Sequence, residues 1–181
     1  MAQGTQTYLV PGSIIVLVIG ILAALGYFSL SGSEEVALNN GGLFPLPDLT
    51  LEDHNGNTHS FSDFQGEVLI INSWATWCPF CVTELPDFAE LQEEFGDDIQ
   101  VIAVNRKESL EESKSYVEDR GIADGMLFLL DPEDSFYRSI GGFSMPETIY
   151  VNKEGEIVIH KRGFMPLSEM REKTQEVLAQ Y

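Results

Sequence analysis

Hydrophobic positions follow three patterns along this chain. From Tyr8 to Leu30 (YLVPGSIIVLVIGILAALGYFSL) there is no charge, and the apolar run from Ile14 to Phe28 is nearly unbroken. About 20 residues at 1.5 Å each span the hydrocarbon core of a bilayer, so this stretch predicts a single transmembrane helix. A cleaved secretory signal would want a basic start, a shorter apolar stretch and small residues at its end. Here no Lys or Arg precedes the run, Tyr27 and Phe28 stand where small residues would be expected, and no cysteine follows that could carry a lipid. The next residues, SGSEEVALNNGG, are small and polar and read as a flexible tether. The boundaries expected are an anchor over 1–31, a linker over 32–43 and a folded domain over 44–181.

The second pattern is short apolar runs, the third an amphipathic period. DLTL and THSF flank EDHNGN, whose Asn55-Gly56 is a turn signal, and predict a β-hairpin. VLIINSW after Gly66, IQVIAVN and MLFLLD are continuous apolar runs, as in strands buried on both faces. PFCVTELPDFAELQEEF places Phe80, Leu85, Phe88, Leu91 and Phe95 at helical intervals, with Cys81 in the first turn. Ser109 and Glu112 form an S-x-x-E capping box opening a helix to about Arg120. Asp131-Pro132 predicts a cap and an N1 proline for a short helix. TIYVN and EIVIHKRG, joined by Lys153-Glu154-Gly155, predict a second hairpin, and Ser168 to Tyr181 a terminal helix. Strands alternating with helices and closed by a hairpin and helix imply an α/β layer with a mixed sheet.

Charge narrows the partners. Of 181 residues, 29 are acidic and 10 basic, a net charge of -19, and no charged residue precedes Glu34. Binding a phosphate backbone or an anionic lipid surface needs clustered Lys and Arg, so neither nucleic acid nor anionic lipid is an expected partner. The imbalance serves solubility or attraction for cationic protein partners. Lys and Arg are also absent close to the apolar run, so the positive-inside rule assigns it no orientation.

The chain has two cysteines, both in WATWCPFC. Cys78 falls where a buried strand meets the N-terminus of a helix, and Cys81 lies one turn on. Free N–H groups and the positive end of the helix dipole favour thiolate over thiol there. Pro79 fits N1, where its missing N–H costs nothing. A redox couple would work through attack by Cys78 on a disulfide, followed by resolution by Cys81. Trp74 and Trp77 either shield the pair or act as ordinary core and rim aromatics. Four other readings stand beside this one. Structural zinc wants four ligands in two short-spaced pairs, and only His54, His59 and His160 could complete a set. A copper-delivery module would use both sulfurs and one histidine. A static bridge closing so small a loop would gain little chain entropy. A peroxidase would need a T-x-x-C motif, whereas Thr76 stands two before Cys78.

WCPFC between strand and helix, the helix proline Pro86, and Met145-Pro146 before a strand resemble the thioredoxin superfamily. INSWATWCPFCVTELP, with Gly66 ahead of it and MPETIYVNKEG later, is similar to the membrane-anchored TlpA/ResA/DsbE-type thiol-disulfide oxidoreductases over about Phe44 to Tyr181. That resemblance implies a thioredoxin-like fold with a mixed central sheet flanked by helices, an N-terminal hairpin and a helix-strand insertion over about Ser109 to Asp131. It implies that Cys78 is the exposed nucleophile, Cys81 the resolving cysteine, and Glu84 the acidic residue that manages protons beneath them. It implies a cis bond at Met145-Pro146, with Trp77, Pro79, Phe80, Met145 and Pro146 contacting the client. No cofactor is implied beyond the redox-active Cys78–Cys81 disulfide. The implied partners are protein disulfide substrates, apocytochrome c among them for the DsbE branch, and a membrane thiol electron donor. The implied location is a single-pass cell-membrane protein with its C-terminal domain outside the cytoplasm, where free thiols need a source of electrons. Two departures from the family are the lack of basic residues before the apolar run and Glu67 where a basic residue is usual.

Overall fold

The structure, a computed structural model, describes residues 44–181. The expected span and tether at 1–43 lie outside them. No helix among the described residues is long and apolar enough to cross a membrane.

The chain runs β1 (Phe44–Pro45), β2 (Thr50–Asp53), β3 (Thr58–Ser60), β4 (Leu69–Trp74), α1 (Pro79–Phe95), β5 (Gln100–Arg106), α2 (Leu110–Asp119), β6 (Leu127–Asp131), α3 (Ser135–Ser139), β7 (Glu147–Val151), β8 (Glu156–Arg162) and α4 (Leu167–Gln180). The eight strands form one sheet in the order β1-β8-β7-β4-β5-β6-β2-β3. β4, β5 and β6 are parallel, and the other pairings are antiparallel. This is the thioredoxin-like α/β arrangement: a mixed sheet with the β2–β3 hairpin and the inserted α2–β6 unit added at one side.

The apolar runs are continuous because both faces of the central strands are covered. Along β4, Ile70 and Trp74 point into the cluster holding Leu85, Phe88 and Leu91 of α1, Val117 of α2 and Val177 of α4. Leu69 and Ile71 point to the opposite face, with Phe61, Phe136 and Ile149. The period of two along an apolar strand thus feeds two cores at once.

Several local expectations change. The capping box at Ser109 and Glu112 opens α2, but α3 starts at Ser135 rather than Pro132. Asp131 still serves that helix, from four residues before it: its carboxylate accepts the N–H groups of Ser135 and Phe136 at 2.8 and 2.9 Å. Phe80 is not part of the buried stripe of α1, which consists of Cys81, Glu84, Leu85, Phe88 and Leu91. It sits roughly 100° around the helix from Cys81, at the rim of that stripe, and is 61% exposed. The two-residue β1 against β8 was not expected, and the predicted strand THSF ends at Ser60, where a Ser60/Asp63 capping box opens a 3-10 turn over Phe61–Phe64.

Candidate functional site

The strand ends place the site. β4 stops at Trp74, and β7, antiparallel to it, begins opposite, with Ser73 paired to Glu147. β8 in turn pairs Arg162 with Glu147. The turn leaving β4, the residues before β7 and the residues after β8 therefore share one end of the sheet. In open α/β sheets this carboxyl end of the parallel strands is where ligands bind.

The first of these segments carries the cysteines. Cys78 N–H donates to the Ala75 carbonyl at 3.1 Å, closing a turn. Cys78 then caps α1 in extended geometry, with its Sγ accepting the Cys81 N–H at 3.2 Å and Pro79 in the first helical turn. A residue whose backbone is not yet helical and whose side chain accepts an orphan N–H is an N-cap, here with sulfur in place of oxygen. Cys78 and Cys81 are joined as a disulfide with Cα atoms 5.3 Å apart. The expected exposure of Cys78 differs from what is found: it is 3% exposed and Cys81 0%. The physical reason is that the oxidised sulfur is turned onto the first turn of its own helix. The surface there is made instead by Trp77 and Phe80, each 61% exposed, with Pro79 exposed between them. Trp74, the other tryptophan weighed as a shield, is fully buried, its ring tilted against Tyr116.

Glu84, three residues after Cys81, is fully buried. Asn72 Nδ2 donates to its Oε1 at 2.8 Å and the Met165 N–H to its Oε2 at 3.1 Å. Burial pushes its pKa from 4.5 up to about 8, with Met165 and Asn72 only partly offsetting this. Desolvation penalises the charged form, and two donors do not replace the lost water. The carboxyl is therefore mostly protonated at neutral pH, yet able to ionise just above it. A group with its pKa near the working pH is suited to taking and returning protons.

The second segment holds Met145 and Pro146, whose peptide bond is cis. Pro146 is buried, and Met145 packs against the apolar cluster that contains both cysteines. Beneath them Glu147 is fully buried. It accepts the N–H groups of Phe143 and Ser144 at 2.6 Å each, and His160 Nε2 lies 2.7 Å away. Burial raises the Glu147 pKa, but the Ser144 and Phe143 N–H groups and His160 outweigh it and leave the pKa below its usual value.

The structure thus gathers Trp77, Cys78, Pro79, Phe80, Cys81, Glu84, Met145 and Pro146 at one end of the sheet. Residues not singled out from the sequence complete the surroundings. Asn72 bridges Glu84 and Thr148, its Nδ2 also donating to Thr148 Oγ1 at 3.0 Å. Its signal was available: an amide inside an otherwise apolar strand needs a partner. Glu108 holds the turn before Cys78, accepting the Thr76 N–H at 2.9 Å and the Thr76 hydroxyl, while Asn105 Nδ2 donates to it at 2.6 Å. Nothing in the sequence announced that pairing across the sheet.

The histidines are occupied elsewhere. His54 and His59 are both part-buried. His54 stacks on Phe128 and meets Ser113 Oγ at 2.9 Å, while His59 meets the Asp53 carboxylate at 3.1 Å. His160 is held on Glu147. Among the described residues no group of three or more His, Cys, Asp or Glu is arranged to hold a metal ion.

With this geometry in place, the Redoxin family model matches residues 44–178. The thiol-disulfide oxidoreductase ResA of Geobacillus kaustophilus is 31% identical over 157 residues, covering 84% of this chain and 86% of its own. The thiol:disulfide interchange protein DsbE of Allochromatium vinosum is 32% identical over 139 residues, covering 76% and 73%. Among solved structures, the exposed lipoprotein thioredoxin of Streptococcus pneumoniae is similar at 29% identity with a TM-score of 0.63, over 72% of this chain and 99% of its own.

Proposed function

Because this chain belongs to the Redoxin family and is a thiol-disulfide oxidoreductase of the ResA/DsbE type, we propose that it reduces disulfides in client proteins outside the cytoplasm, through Cys78 and Cys81. The carrying observation is a C-x-x-C pair capping a long helix, with a buried carboxyl one turn further along whose pKa burial pushes up to about 8.

In the reduced protein the Cys78 thiolate is favoured by the N–H groups of the first turn of α1 and by the helix dipole. It attacks one sulfur of a client disulfide; a Cys78–client S–S bond forms, and the other client sulfur leaves as thiolate and takes a proton. The Cys81 thiol then loses its proton, which the ionised fraction of Glu84, one helical turn further on, can accept. The Cys81 thiolate attacks Cys78 Sγ, closing the disulfide described above and releasing the second client thiolate. Two electrons pass from the dithiol to the client. A thiol donor in the membrane returns the pair to the dithiol. Trp77, Pro79, Phe80, Met145 and Pro146 receive the client, whose extended backbone adds alongside Met145 as a strand. No cofactor beyond the cysteine pair enters this scheme.

The apolar run at 8–30 anchors the domain to the membrane, and the linker lets it reach both donor and client. The DsbE-like string MPET supports apocytochrome c as a client, reduced before haem attachment.

The test is disulfide reduction by the full chain, with Cys78→Ser and Cys81→Ser beside the wild type. Cys78→Ser is expected to abolish turnover and Cys81→Ser to accumulate a mixed disulfide. Turnover by Cys78→Ser would overturn the roles. The potential of the pair against glutathione tests direction: a value below that of glutathione supports the reductase, and one near about −120 mV, where strong disulfide donors lie, would make the protein an oxidase.

A further inference from the structure

After β8 the chain turns through Gly163, Phe164, Met165 and Pro166 into α4. Gly163 has a φ of 82°, a left-handed conformation that glycine adopts without strain, and it donates its N–H to the Pro146 carbonyl at 2.8 Å. Two residues on, the Met165 N–H is held by Glu84 and the Met165 side chain is fully buried. This short strap is therefore fastened at one point to the cis-proline segment and at another to the helix carrying the cysteines.

Phe164 sits between the two fastenings. With Met165 directed inward, Phe164 is left 39% exposed. Its ring centroid is 6.3 Å from that of Phe80, with the planes tilted at 48°. That spacing is ordinary for an aromatic pair and leaves no slot between the rings, so whatever meets them lies across the pair. Two adjoining exposed aromatic rings on an acidic, water-facing domain mark a contact surface.

We propose that Phe164 is a specificity-determining residue: with Phe80 it forms a two-ring platform for a bulky apolar side chain flanking the client's cysteine. The proposal rests on the reductase reading above. Its occupant follows from the chemistry, because the client sulfur is bonded to Cys78 in the mixed disulfide and Phe80 is two residues from Cys78. The polypeptide on either side of the client cysteine must then lie over this rim. The two backbone fastenings fix the platform in advance, so little ordering cost is left for the client to meet.

The experiment uses two synthetic disulfide-bridged peptides, identical except that one cysteine is flanked on both sides by Leu in one and by Gly in the other. The quantity read is the ratio of their kcat/KM values with the full chain. The wild type is expected to favour the Leu peptide about tenfold, the scale on which apolar contact discriminates substrates. Phe164→Ala is expected to bring the ratio close to one, and Phe164→Leu to keep most of the preference. A structural lesion would lower both rates together at constant ratio, and that result would overturn the proposal, as would an unselective wild type. A wild type that reduces neither peptide would instead overturn the reductase reading itself.

Discussion

Two buried glutamates at the same end of the sheet have opposite fates. Glu84, under the disulfide, and Glu147, under the cis-proline segment, are both at 0% exposure, and for both burial is the largest influence and favours the neutral acid. Glu84 has one amide and one backbone N–H as donors. Glu147 has two backbone N–H groups at 2.6 Å, the His160 ring at 2.7 Å and Arg162 Nε at 3.6 Å. Donors already aimed at a carboxylate substitute for its water, and here the count of donors decides the sign of the shift. The difference separates two jobs. Glu147 is a fixed charge that shapes the loop carrying Met145 and Pro146, while Glu84 is left able to change its charge beneath the cysteines.

The largest expected effect comes from breaking the fixed member. Glu147→Ala leaves the Phe143 and Ser144 N–H groups and His160 without their acceptor in a buried setting, which should cost on the order of 3 kcal/mol of stability. Chemical denaturation at pH 7 measures it, and a loss below ~1 kcal/mol would show that the loop does not depend on this carboxylate. In the wild type, the folded pKa of Glu147 lies below 4.5, so its stabilising contribution is present above pH 4.5 and is lost as pH falls through the folded value.

Glu84 should behave in the reverse sense. Its folded pKa of about 8 lies above the ordinary 4.5. Between those values the unfolded chain has lost this proton and the folded chain still holds it, so stability falls as pH rises, by up to about 1.4 kcal/mol per pH unit from this residue. The window closes above pH 8. Glu84→Gln, neutral at every pH, should remove that slope and leave the oxidised variant more stable than the wild type at pH 8. Denaturation midpoints taken from pH 5 to 9 check this, and parallel curves for the two proteins would mean that Glu84 is already ionised in the fold.

How much of this was legible in the sequence depends on how far apart the interacting groups lie. The pairing of Cys78 with Cys81 and the capping at Ser109 and Glu112 are local, and so is the alternation that buries β4 on both faces. Letters and periods carry them. The cis bond at Pro146 was legible only through resemblance, since most X-Pro bonds are trans. The two donors to Glu84 come from 12 residues before it and 81 after it, and no local pattern reports such a meeting. The same holds for Glu108 reaching Thr76 from 32 residues away and for the strap that brings Phe164 to Phe80. Helical spacing groups Phe80 with the apolar positions of α1 because it gives an angle but not what covers it; on the opening turn of α1 the ring lies outside the apolar cover, on the side where the family resemblance places client contacts. Asn72 is the intermediate case, visible as an amide in an apolar run, with its partners set only by the fold.

Asn72 also offers the smallest and sharpest test of the contrast between the glutamates. If donor count decides the charge state, removing one donor from Glu84 should move it further from Glu147. Asn72→Leu does this with a side chain of the same branching and larger volume, so it opens no space through which water could take the amide's place. The Glu84 pKa should rise beyond about 8 by less than about one further pH unit, since a single neutral donor contributes roughly 1 kcal/mol. Carbon-13 titration of the glutamate carboxyls would resolve this, with the signal lost in Glu84→Gln assigning the residue. An unchanged or lowered value would mean that donors do not set the charge of Glu84. Its difference from Glu147 would then have to come from the charges around each group: Asp87, which raises the Glu84 pKa, against His160, which lowers that of Glu147.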